Sequence, residues 1–427
     1  MLDAPAPATP PALRPIPYMG VIWVVHEAMK LGFRNGHPDW CNLGQGQPEV
    51  GEMEGAPPRT SRLEMAPHDH AYGPINGTPE LRAAIAAHYN RLYRRGQASQ
   101  YTAENVSVAA GGRLALSRVF AALRAGAVGY QVPDYTAYED LLDYHRHRVR
   151  PVCIPAREQD GFLLPPERLR RALSDERLTA FILSNPCNPT GRVVRGPLLE
   201  QYLQLCRESG AVFVLDEFYS HFIYDGERPA GGPVSGAAYV EDVERDPVLL
   251  VDGLTKSFRY PGWRVGWAVG PKAMIETLGC AASAIDGGPG QPIQRAALAV
   301  LEPARADQET TALRTVFSRK RNLMSAALKA LGVRFAHESE STFYVWGSIA
   351  GLPAPLNDAD VFFRRALERK VLTVPGRFFD VNPGRERTGP SPLAQWMRFS
   401  FGPPQDNLEL GLQRLAALVA DARRGSL

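Results

Sequence analysis

The chain has 427 residues, 44% of them apolar and 22% charged, a globular composition with room for a large core and more than one domain. With 48 basic against 45 acidic residues the net charge is +3, which excludes a general basic footprint for nucleic acid or a membrane surface. No window has the apolar length of a membrane helix, and the start, MLDAPAPATPPALRP, lacks the pattern of a secretory signal.

In chain order, residues 4–17 read as a Pro-rich extended arm. A helix is expected from Thr78-Pro79, a cap followed by proline at the first helical position, with Leu81, Ile85, Tyr89 and Leu92 on one side. Short apolar runs at 106–110, 128–132, 180–183, 212–215, 248–251 and 265–269 read as buried strands of a mostly parallel sheet. Helical patterns at 113–124, 135–144 and 197–209 lie between them, so an α/β unit is expected. The runs at 248–251 and 265–269 are joined by only a loop, which predicts an antiparallel pair and a mixed sheet. Beyond residue 300 come a long helix over 304–331, strands near 343–346, 371–374 and 396–401, and a last helix over 406–423. The expected division is 1–70, an arm plus part of a small domain; 71–302, a large domain; and 303–427, a small α+β domain. The five cysteines, none in a C-x-x-C pair, read as reduced cytoplasmic thiols, and no His/Cys/Asp/Glu set has metal-ligand spacing.

Six landmarks fall at strand ends or turns, where ligands bind in open α/β sheets. Gly111-Gly112-Arg113 opens a helix; it is either a tight turn or an anion site at a helix N-terminus. Tyr135 is either a loop aromatic or a stacking surface for a planar ring. Ser184-Asn185-Pro186-Cys187-Asn188-Pro189-Thr190-Gly191 holds an extended and then turned backbone that can present the Asn188 amide. Asp216, in Asp216-Glu217-Phe218-Tyr219, ends a buried strand, where a carboxylate needs a cationic partner such as a protonated pyridine nitrogen. Lys256 lies beside Thr255 in an apolar setting that depresses an amine's pKa, and Arg264 eight residues later supplies a fixed cation. Arg398 interrupts an apolar strand; taken alone it is either a structural ion-pair partner or, through its planar fork, a carboxylate-binding group.

Together these segments resemble the class I/II aminotransferases of the fold-type-I pyridoxal-phosphate family, over about Asn42 to Gly402. N-P-x-N-P-T-G, D-x-x-Y and T-K-S-F-x-x-x-G-W-R-V-G carry the resemblance. It implies a large domain with a mixed, mostly parallel sheet plus a smaller α+β domain. It also implies a pyridoxal 5'-phosphate cofactor held as a Schiff base on Lys256, which moves the proton. Asp216 would pair with the ring nitrogen, Tyr219 and Asn188 with the ring oxygen, and Tyr135 would stack. Gly111, Gly112, Arg113, Thr255 and Arg264 would hold the phosphate, with Tyr72 reaching it across a homodimer interface. Gly46 and Asn188 would border the substrate, and Arg398 would bind its α-carboxylate.

Several positions depart from the family pattern. Gly253 stands where many members carry a serine, and Thr255 can supply a phosphate hydroxyl instead. The stretch 281–292 has no arginine, so a dicarboxylic amino acid is not expected; a neutral, aromatic or cationic side chain is, with Glu27 or Glu49 to answer a cation. Segments 16–33 and 382–395 are expected to reshape the pocket. The expected reaction is transamination between an amino acid and a 2-oxo acid, with a lyase, cyclase or oxidase of the same fold as the alternative. A ligand-sensing domain would bring a helix-turn-helix, for which the stretch before residue 40 has no room.

Overall fold

A computed structural model describes residues 13, 16–224 and 232–426. The Pro-rich arm therefore lies outside the described residues, except for Leu13, Ile16 and Pro17.

The first elements are α1 (Gly20–Lys30), β1 (Cys41–Asn42) and α2 (Pro79–Tyr93). Thr78 caps α2 as its spacing predicts, accepting a hydrogen bond from the Leu81 amide. Next come β2 (Val106–Ala109), α3 (Gly112–Ala122), β3 (Gly126–Val132), α4 (Ala137–Tyr144) and β4 (Val149–Pro155). They are followed by α5 (Pro166–Asp175), β5 (Leu178–Ser184), α6 (Pro197–Ser209), β6 (Val212–Asp216), β7 (Val248–Gly253) and β8 (Gly266–Val269). Strands β2 to β8 form one sheet in the order β2-β8-β7-β6-β5-β3-β4. Only β8 runs antiparallel to its neighbours, pairing Leu250 with Val269 and Val106 with Val269 on its two sides. The mixed sheet thus has the antiparallel pair expected from the short loop.

Two apolar layers cover this sheet. Phe181, Leu183, Phe213 and Leu215 face one layer, while Ala180, Ile182 and Val214 face the other. That alternation is the period-two pleat of strands buried on both faces. The second layer runs on into the C-terminal elements through Phe343, Phe399 and Phe401. These elements are α7 (Lys272–Ile285), α8 (Gln291–Val300), α9 (Pro303–Leu331), β9 (Tyr344–Ser348), α10 (Ala359–Glu368), β10 (Val371–Leu372), β11 (Val374–Pro375), β12 (Trp396–Ser400) and α11 (Gln405–Arg423).

One strand was not anticipated and two expectations change. Edge strand β4 lacks a continuous apolar run because Arg150, Pro151 and Pro155 interrupt it, and an edge tolerates them. The run 371–374 is not one strand: β10 pairs with β1, whereas β11 pairs with β12. The 135–144 helix starts only at Ala137, which leaves Tyr135 in the preceding turn.

Candidate active site

A cavity of about 520 Å³ opens at the carboxyl ends of β5, β6 and β7, within the size range of small-molecule sites. Of the expected site residues, all but Tyr72 and Gly111 line it. Gly111 stands directly behind the wall. Its φ is +96°, and a Cβ there would come within 2.1 Å of the Arg264 guanidinium, so only glycine fits. Tyr72 is fully exposed on the surface of this chain.

Asp216 ends β6 and is buried. Tyr138 donates a 2.9 Å hydrogen bond to its Oδ2. Burial raises the Asp216 pKa to about 6, against the lowering effects of Tyr138, the Phe218 amide and Lys256. Lys256 donates to the Gly46 carbonyl, which ties the loop after β1 to the cavity floor. Its pKa is lowered to about 7, first by desolvation and then by the cations Arg398, Arg264 and Arg113. A substantial fraction of the amine is thereby unprotonated near neutral pH, as imine formation requires.

At one end of the cavity, Gly112 begins α3, whose first amides have no side-chain cap. Arg264, in the left-handed conformation, and Arg113 stand beside it. The buried hydroxyl of Thr255 has no hydrogen-bond partner. Uncapped amides, two guanidiniums and an orphaned hydroxyl are the donor set a phosphate takes. Position 253 offers no such donor: a Cβ there would lie 2.5 Å from the Val265 carbonyl oxygen, so β7 and β8 close it to any side chain.

At the other end, Arg398 of β12 is buried. It donates 2.9 Å hydrogen bonds to Asn188 Oδ1 and to the Gly44 carbonyl, while its Nε has no partner. Asn188 is held in turn, because its amide donates to Ser184 Oγ at 3.2 Å. Ser184 Oγ donates to Asp134 Oδ1 at 2.5 Å, and the Tyr135 amide donates to the same oxygen at 2.7 Å.

The sequence reading missed Tyr138, Asp134, Ser184 and Tyr344 as site residues. Segment 16–33 does shape the pocket as expected: Met19, just before α1, and Val21, Ile22 and Val25 of α1 line the cavity. Two suggestions from the sequence are corrected. Glu27 pairs with Lys30 and Glu49 with Lys320; neither lines the cavity, where Asp216 is the only acidic residue among the described residues. Segment 382–395 does not line it either: Asn382 donates to Glu139 Oε2, so this segment packs on α4. Among the described residues there is no metal-ligand cluster and no helix long and apolar enough to cross a membrane.

The family of aminotransferases of class I and II matches residues 38–415, and the chain belongs to it as a pyridoxal-phosphate-dependent enzyme. It is 29% identical to the aspartate/prephenate aminotransferase of Thermus thermophilus over 93% of this chain and 96% of that one. It is 28% identical to a probable N-succinyldiaminopimelate aminotransferase of Mycobacterium tuberculosis, over 88% and 92%. The structure of the Thermus thermophilus aspartate aminotransferase with maleate superposes with a TM-score of 0.77 at 27% identity, covering 95% of this chain and 97% of that one.

Proposed function

We propose that this aminotransferase acts on the α-amino group of an amino acid with a neutral apolar or aromatic side chain, with a 2-oxo acid as its partner. The apolar wall of Met19, Val21, Ile22 and Val25 carries the reading. A side-chain carboxylate buried there without a cation would cost several kcal/mol, and the stretch 281–292 holds no arginine to pair with it. A cationic side chain, allowed by the sequence alone, finds no acidic wall once Glu27 and Glu49 are paired elsewhere. Steady-state kinetics on aspartate, glutamate, arginine, phenylalanine, methionine and alanine test this. Aspartate or glutamate as the best donor by kcat/KM overturns it.

In this reading Arg398 binds the substrate α-carboxylate, and its Asn188 contact fixes the fork. Asn188 still has its amide NH2 to turn, with Tyr219, towards a ring oxygen. Tyr135 faces the ring, Asp216 holds a proton on the ring nitrogen, and Gly112, Arg113, Thr255 and Arg264 hold the phosphate. Bound pyridoxal phosphate supplies an electron sink for the pair released at the substrate α-carbon. Lys256, whose lowered pKa leaves much of its amine unprotonated near neutral pH, would take the α-proton and return it. Gly46 closes over the amine.

The same reading divides the chain near residues 70 and 302, places it in the cytoplasm, and makes it a homodimer. Tyr72 is exposed, as are Leu63, Met65 and Ile75 in the same stretch of chain, apolar surface of the kind a second copy would cover. Sedimentation tests the dimer; a fully active monomer excludes it.

A further inference from the structure

Tyr344, the first residue of β9, lines the cavity and is fully buried. It has no part in the scheme above, yet it touches both residues that face the reacting groups. Its hydroxyl lies 2.9 Å from that of Tyr219. Its ring lies beneath Arg398, whose Cζ is 3.9 Å from the ring centroid. Phe379 lies on the same guanidinium at 5.1 Å.

A phenol has one proton. Tyr219 can give its own to a ring oxygen only if it accepts from Tyr344, so the two hydroxyls then form a directed chain. Donation into Tyr219 polarises its O–H and makes it the stronger donor. The ring face of Tyr344 meanwhile holds a desolvated guanidinium whose Nε is unpaired, a setting in which a cation–π contact counts most.

We propose that Tyr344 is a positioning residue with two separable roles: its hydroxyl sets the donor strength of Tyr219 towards the ring oxygen, and its ring sets the hold of Arg398 on the substrate carboxylate. This rests on the reading that places those two groups at Tyr219 and Arg398.

The test uses holoenzyme with Tyr344→Phe, Tyr344→Leu and Tyr219→Phe. One readout is the pH midpoint of the bound cofactor's visible absorption; the other is KM for the best donor among phenylalanine, methionine, alanine and aspartate. A weaker donor to the ring oxygen disfavours its anionic form, so the midpoint rises. Tyr344→Phe raises it in the same direction as Tyr219→Phe, by about 0.3 to 1 pH unit, with KM within about twofold. Tyr344→Leu gives the same rise and a KM about tenfold higher, as loss of a buried cation–π contact predicts. A midpoint moved by Tyr219→Phe but not by Tyr344→Phe overturns the hydroxyl role and leaves the placement of Tyr219 standing. A midpoint unmoved by Tyr219→Phe overturns both. Equal KM in Tyr344→Phe and Tyr344→Leu overturns the ring role. Tyr344→Met replaces Tyr344→Leu if that chain does not fold.

Discussion

Tyr138 donates a 2.9 Å hydrogen bond to Oδ2 of Asp216, from the second residue of a helix that starts beyond the cavity wall. The bond stabilises the carboxylate against burial, which otherwise favours its protonated form. Tyr138→Phe removes it while keeping the ring. Pyridoxal-phosphate affinity of the apoenzyme is expected to fall about tenfold, the size of a hydrogen bond to a charged group. Fluorescence titration measures this; affinity within twofold of wild type shows that Tyr138 has no part in cofactor binding.

Lys256 gives a pH dependence. Its pKa is lowered to about 7 by burial and by Arg398, Arg264 and Arg113, so its free-amine fraction rises through pH 7 and saturates above it. The rate at which apoenzyme captures pyridoxal phosphate is expected to follow that rise. Arg398→Gln removes the largest of the three cationic effects and shifts the midpoint upward. Borohydride reduction and peptide mapping of the captured product are expected to label Lys256. A rate still climbing towards the pKa of a free lysine, or label on another lysine, contradicts this.

Asp134 is completely buried and holds two walls at once, Tyr135 through its amide and Asn188 through Ser184. Asp134→Ala strands the Tyr135 and Ser184 amides. Stability is expected to fall by about 1–3 kcal/mol, with KM for the amino donor rising several-fold and Asp134→Asn recovering part of both. Denaturant unfolding and steady-state kinetics read the two effects. Lost stability with unchanged KM makes Asp134 structural only.

Ile22 tests the apolar wall. Ile22→Ala removes contact area from a large side chain but not from a small one. The kcat/KM for phenylalanine or methionine is expected to fall about tenfold on the basis of lost methylene burial, with alanine changed less than twofold. Equal losses for all three donors place Ile22 away from the substrate side chain.

The local motifs were legible because their chemistry is local. The turn glycine at 111, the Asn-Pro steps around Asn188, Asp216 at a strand end, and Lys256 with Arg264 each need a backbone conformation or spacing that a few neighbouring residues set. The antiparallel β7–β8 pair followed from loop length alone. What packing decided had no such signal. Tyr138 and Tyr344 carry no local signal that sets them apart from other core aromatics, and only the tertiary placement of α4 and β9 brings their hydroxyls to Asp216 and Tyr219. Arg398 and Asn188 meet across 210 residues of sequence. Glu27 and Glu49 could have faced the cavity until Lys30 and Lys320 paired with them. The sequence by itself determined the family and the local geometry of its motifs, since short-range backbone geometry fixes them; the tertiary structure alone decided which side chains orient those motif residues and what the cavity wall presents, because long-range packing sets directions that no local spacing encodes.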